Sequence, residues 1–162
     1  MTTQIKGNDT STFGGNIDVP QIVTDAPAFG AYQDTSQTLS TSTFTKLTFT
    51  IEEFDTNSDF ASSKFTPTVE GYYLITGAFG INSMNGTQIL SIYKNGNEFK
   101  RGTLRSDSAT ASGRHTTIST IVYANGSTDY FELYAYQGSG SNATTRNSQR
   151  WTYVNGVLVR AV

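Results

Sequence analysis

Short runs in which apolar and polar residues alternate, each closed by an asparagine- or glycine-centred turn, recur along this chain and point to β-structure. Leu47, Phe49 and Ile51 fall on one face of a run whose other face carries Phe44, Lys46, Thr48 and Thr50. Tyr73 and Ile75 share a face with Tyr72 and Leu74 opposite, and Ile89, Ser91 and Tyr93 alternate with Leu90 and Ile92. Ile118, Ile121, Val122 and Tyr123 make a β-branched and aromatic run. Phe131, Leu133 and Ala135 alternate with Glu132, Tyr134 and Tyr136, and Val154, Val157 and Val159 mark a last strand. Asn85-Gly86, Asn95-Gly96 and Asn125-Gly126 offer the positive φ that tight hairpin turns require. Few windows show apolar residues at i, i+3, i+4 and i+7, and Leu, Ala, Glu and Lys never cluster as a helix needs. Roughly seven or eight short strands with regular turn signals predict an all-β jelly-roll sandwich. Phe29, Phe49, Phe65, Tyr73, Phe131 and Leu133 are the expected core, and Gln137 to Ser148 reads as a long polar loop with no core anchor.

The first residues follow another pattern. Ile5, Phe13, Ile17, Val19, Ile22 and Val23 are too widely spaced for one buried strand, and Gly7, Gly14, Gly15 and Pro20 interrupt them. Residues 1–26 are therefore expected to form an extended arm and 27–162 the folded head. In the arm, Ile5, Phe13, Ile17, Val19 and Ile22 are expected to dock onto a partner by strand addition or into shallow pockets. The opening Met-Thr-Thr-Gln-Ile-Lys-Gly-Asn-Asp-Thr lacks the apolar core of a secretory leader, and no apolar run is long enough for a membrane span. These features predict a chain made in the cytoplasm with no membrane partner. Cysteine is absent, which excludes disulfides and thiolate metal sites. With a net charge of -2 and 15% charged residues, the chain has no basic stripe for nucleic acid; Lys94, Lys100, Arg101 and Arg105 come nearest.

The residue types do not favour catalysis. His115 is the single histidine, and no Gly-x-Ser-x-Gly elbow accompanies it, so a hydrolase triad is not indicated. Glu52 and Glu53 are adjacent, and on a strand they point to opposite faces. Asp55-Thr56-Asn57-Ser58-Asp59 copies the start of a calcium loop, but Phe60 and Thr66 stand where that loop needs Gly and Glu. A surface turn bonded to its own backbone is the expectation there, with no metal and no cofactor.

Several short motifs occur in one particular order. Ala28-Phe29-Gly30-Ala31-Tyr32 is followed by Lys46-Leu47-Thr48-Phe49 and by Glu53-Phe54-Asp55-Thr56-Asn57. Next come Ser63-Lys64-Phe65-Thr66-Pro67 and Val69-Glu70-Gly71-Tyr72-Tyr73, then Ile92-Tyr93-Lys94-Asn95-Gly96. Asp129-Tyr130-Phe131-Glu132-Leu133 and Tyr153-Val154-Asn155-Gly156-Val157-Leu158 complete the series. In this order, from Ala28 to Val159, the chain resembles the head domain shared by complement component 1q and the tumour necrosis factor relatives. The resemblance implies a jelly roll that forms homotrimers and binds partners through surface loops or grooves between protomers, without catalysis.

Surplus aromatics are consistent with self-assembly: Tyr72, Tyr134, Tyr136, Trp151 and Tyr153 are the expected trimer interface. The arm, the missing cysteine and the Ser/Thr-rich composition further resemble bacteriophage virion proteins that carry such a head. The expected function is thus a homotrimeric capsid decoration or cement protein, located on the virion after synthesis in the host cytoplasm. Its partners would be itself and the major capsid protein or another virion protein. The alternative is the receptor-binding head of a fibre or tail protein. That head would read a host surface glycan or protein through Tyr136, Arg146, Arg150 and Trp151.

Overall fold

A computed structural model of the protein describes residues 26–162; the arm residues Ile5, Phe13, Ile17, Val19 and Ile22 lie outside them. Eleven strands run in the order β1 (Ala28–Tyr32), β2 (Thr38–Leu39), β3 (Thr43–Lys46), β4 (Ile51–Asp55), β5 (Phe60–Ala61), β6 (Lys64–Phe65), β7 (Glu70–Lys94), β8 (Asn97–Asn125), β9 (Phe131–Gln137), β10 (Ala143–Arg146) and β11 (Tyr153–Ala161). Every pairing among them is antiparallel. The all-β expectation is met, as two sheets packed face to face.

The sandwich depends on β7 and β8, which together form one very long hairpin. Asn95 and Gly96, at φ 52° and 79°, make its turn in the conformation this dipeptide favours. Residues 70–81 of β7 and 114–125 of β8 belong to the first sheet, where β7 also pairs β11, β11 pairs β1 and β1 pairs β4. Residues 88–94 of β7 and 97–107 of β8 belong to the second sheet, beside β9, which pairs β3 and β6. Both long strands therefore bend from one sheet into the other. Gly86 at φ 78° and Gly113 at φ 70° sit at the two bends, with a register shift between Met84 and Gly86. Asn85-Gly86, expected as a hairpin turn, is thus an irregularity inside a continuous strand. The correction has a local cause: a Cβ on Gly86 would lie 2.2 Å from the Gly138 carbonyl oxygen, so the glycine permits a close backbone approach. Arg114, only 1% exposed, ties the bends together. Its guanidinium donates to the Gly86 and Ala109 carbonyls at 3.2 and 2.7 Å and pairs with Asp107 at 3.2 Å.

Alternation sends Phe29 and Ala31, Tyr73 and Ile75, Leu90 and Ile92, Phe131, Leu133 and Ala135, and Val154 and Leu158 inward, all buried. Phe29 stacks on Phe60 and Phe65 at 4.7 and 4.4 Å, and Phe65 meets Tyr73 edge-on at 5.3 Å. Burial pushes the Tyr73 phenol up to about 12, with the Asp59 charge adding to the effect. All six predicted core residues are buried.

The segment after β9 departs from its predicted character. Gln137 and Thr145 are fully buried, Ala143 packs against the core, and residues 143–146 are a strand pairing β2 and β7. Gln137 Nε2 donates to the Leu39 and Ser141 carbonyls, and its Oε1 accepts from the Ser139 amide. These amide and hydroxyl side chains anchor the segment through hydrogen bonds, a role that apolar patterning does not reveal.

Candidate functional site

The outer face of the first sheet is the least usual surface of the head. Side chains opposite the inward set on β7, β8 and β11 include Tyr72, Leu74, Ile121, Tyr123, Val157 and Val159, joined by Phe54 from β4. Leu74 is directly flanked by Ile121 and Val157, and Tyr72 by Tyr123. Ile121 and Val159 are 54% and 55% exposed, and Phe54, Tyr72, Tyr123 and Val157 are also open to solvent. Between Phe54, Leu74 and Val157 the face dips into a trough of about 300 Å³ that Gly156 and Ala28 help to floor. At one end Tyr123 donates to Glu70, and that bond, with burial and the Glu70 charge, raises its phenol above the usual tyrosine value. Lys94 donates to the Tyr123 carbonyl and pairs with Asp129 at 2.8 Å. Burial alone would raise the Asp129 carboxyl, but hydrogen bonds from Lys94 and Asn95 hold it below the usual carboxylate value.

The opposite end of this face, where β11 begins, carries the other cluster. Tyr153 lies beside Tyr32 and Ala78, and His115 lies across from Gly80. The Trp151 ring meets His115 edge-on at 5.8 Å, and the Arg146 guanidinium lies 3.6 Å from its centroid. His115 Nε2 lies 3.0 Å from the Trp151 carbonyl, so the lone histidine braces this loop. An open groove of about 420 Å³ lies alongside, lined by Tyr32, Ser148, Gln149, Arg150 and Trp151.

The five aromatics expected at an interface divide between the sheets. Tyr72, Tyr153 and Trp151 lie on the first sheet's outer side. Tyr134 and Tyr136 point outward from β9 on the second sheet, where they pack among aromatics of their own chain. Tyr134 stacks on Tyr93 at 3.9 Å, and Tyr136 meets Phe44 at 5.2 Å. Tyr136 is not part of the Trp151 groove, whereas Arg150 and Trp151 line it and Arg146 backs the tryptophan. Phe54, Leu74, Ile121, Tyr123, Val157 and Val159 were not singled out as interface residues from the sequence. The signal was nonetheless present: Tyr72-Tyr73-Leu74-Ile75 and Ile121-Val122-Tyr123-Ala124 are apolar on both strand faces, a pattern of strands covered on both sides.

In the Asp55–Asp59 turn, Asp55 accepts hydrogen bonds from the Asn57 and Phe60 amides, as a self-bonded turn would. Asp59 is buried with neither carboxylate oxygen hydrogen-bonded. Among the described residues no three His, Cys, Asp or Glu side chains gather as a metal site.

No family model matches the chain. No curated protein sequence matches it either. Solved structures do. The globular domain of zebrafish complement 1qA protein superposes with a TM-score of 0.61 at 18% identity, covering 85% of this chain and 99% of that one. Eiger TNF from S. frugiperda gives 0.67 at 8% identity, covering 85% and 95%. Murine APRIL at pH 5.0 gives 0.63 at 12% identity, covering 83% and 99%. The fold is that of the complement-1q and TNF head domains. The expected jelly roll is thereby met; identities this low speak to fold alone.

Proposed function

We propose that the chain is a non-enzymatic head that acts as a homotrimer, packed through the outer face of its first sheet. The observation that carries this reading is the exposed apolar set Phe54, Tyr72, Ile121, Tyr123, Val157 and Val159 on contiguous strands, with the half-buried Leu74 among them. A contiguous apolar face of this kind marks an interaction surface. A trough in its middle suits insertion of a partner's side chain. The second sheet's outer face supports the choice by contrast. There Tyr93 stacks on Tyr134, Phe44 packs at a tilt against Tyr93 and Tyr136, and Lys46 pairs with Glu132 at 2.6 Å. The proposed interface retains Tyr72 from the sequence-based set and places Tyr134 and Tyr136 outside it. Light scattering on the full chain tests this: a mass near three times 17.6 kDa is expected, and a monomer at micromolar concentration overturns it.

Within the same proposal the trimer is a virion structural protein of a bacteriophage, a decoration or cement protein. Residues Ile5, Phe13, Ile17, Val19 and Ile22 would dock it on the major capsid protein or another virion protein. The support is compositional: a cysteine-free chain rich in Ser, Thr, Asn and Gly, preceded by a sparse apolar arm. Multivalent attachment of one trimer to several shell subunits would stabilise the shell by avidity. Particles stripped of the protein should lose heat resistance and regain it on adding the full chain. Unchanged resistance rejects the cement role.

A further inference from the structure

We propose that the groove beside Trp151 binds an acidic saccharide, a pyranose bearing a carboxylate. The inference rests on reading the head as non-enzymatic, but not on its being a trimer. The loop forming the groove is built in advance of any ligand. The Trp151 and Thr152 amides both donate to the Ser148 carbonyl, at 2.9 and 3.1 Å. Thr152, fully buried, donates to the Arg146 carbonyl at 2.6 Å and accepts from the Gly80 amide at 3.3 Å. Ser148 sits at φ 141°, a conformation that favours glycine, so the surrounding bonds hold a costly backbone geometry at the groove's rim.

The chemistry of the lining selects the ligand. Tyr32 and Trp151 offer aromatic surface to the C–H face of a sugar ring, and Gln149 and Ser148 offer groups for its hydroxyls. The charge is one-sided. No Asp or Glu lines the groove, and among the described residues neither Arg146 nor Arg150 forms a salt bridge. Asp34, two residues from Tyr32, is engaged with the Thr35 and Thr50 hydroxyls instead. Arg146 already covers part of the indole, which makes the site poorer for a cation and better for an anion. Arg150 provides a free planar fork for a carboxylate. A volume of about 420 Å³ admits a short oligosaccharide but not a folded domain.

The test is calorimetric titration of the full chain with tetragalacturonate and with its fully methyl-esterified form, the same sugar without charge. We expect the free acid to bind at least tenfold more tightly than the ester. Arg150→Gln, at an exposed side chain, should lose about tenfold for the acid and little for the ester. Trp151→Ala should abolish binding of both, with circular dichroism reporting whether it folds. Equal binding of acid and ester, no binding of either, or unchanged binding by Arg150→Gln overturns the proposal. So does preference for an acidic peptide over the saccharide. Light scattering on the same samples separates the two readings. A monomer that binds the acid rejects only the trimer, and a trimer that ignores it rejects only the groove.

Discussion

Replacing Ile121 by aspartate addresses the assembly proposal directly. Ile121 is 54% exposed in the protomer, so about half of its burial energy, roughly 1 kcal/mol, is realised only on association. A carboxylate placed there must be desolvated in the interface, which costs roughly a further 3 kcal/mol even after relaxation. Three copies bring the loss to about 12 kcal/mol per trimer, and at about 1.4 kcal/mol per decade the association constant falls by about nine orders of magnitude. The protomer should tolerate the change, because Ile121 faces away from the core on the side opposite Val122. Sedimentation equilibrium and thermal melts at two protein concentrations make the measurement. Wild type should sediment as a trimer and melt at a temperature that rises with concentration, whereas Ile121→Asp should be a monomer whose melting temperature does not depend on concentration. Tyr134→Ser, on the other sheet, should remain trimeric. An Ile121→Asp protein that keeps the trimer mass would refute the reasoning, as would a Tyr134→Ser protein that loses it.

Other perturbations probe the fold itself. In Gly156→Ala the new Cβ would fall 2.3 Å from Phe29 Cε1, so chemical denaturation should show a loss of about 1–3 kcal/mol from overpacking. Gln137→Leu keeps the volume but leaves the Leu39 and Ser141 carbonyls and the Ser139 amide without their partner, and urea melts should show about 2–4 kcal/mol of destabilisation. Lys94→Met removes the cation that holds Asp129 below its ordinary carboxylate value. Because that folded value is depressed, the contribution is fully present above the unfolded value of about 3.9 and lost as pH falls through the folded one. Wild type should therefore be the more stable at pH 7, with the gap closing below about pH 4; a gap unchanged at pH 2 would mean Lys94 acts through packing alone.

Much of the strand content was legible because period-two alternation depends only on neighbouring residues. Tyr73 and Ile75, Phe131 and Leu133, and the Asn95-Gly96 turn all stand where local pattern and turn chemistry place them. Asn85-Gly86 shows the limit of that logic. The same dipeptide that closes a hairpin at 95–96 becomes a bend at 85–86, because what decides it is the Gly138 carbonyl, brought close by a strand far along the chain. Gln137 and Thr145 were hidden for a related reason: a buried amide is acceptable only when its partners arrive, and Leu39 lies 98 residues from Gln137.

The candidate sites divide in the same way. Which strand positions are apolar was readable, down to the two-faced runs at 72–75 and 121–124. That these runs lie side by side with Val157 and Phe54, forming one exposed face, follows from the antiparallel registers of β7 with β8 and β11 and of β1 with β4. The Trp151 groove likewise needs His115 and Gly80 from the long hairpin and Tyr32 from the first strand. The sequence by itself determined the alternating strand runs, their inward faces and the all-β class, since these follow from local alternation and turn preference, but not the strand at 143–146 or the continuity of β7 through 85–86. Only the tertiary structure decided which outward residues meet, because that depends on pairings between segments that no local pattern encodes.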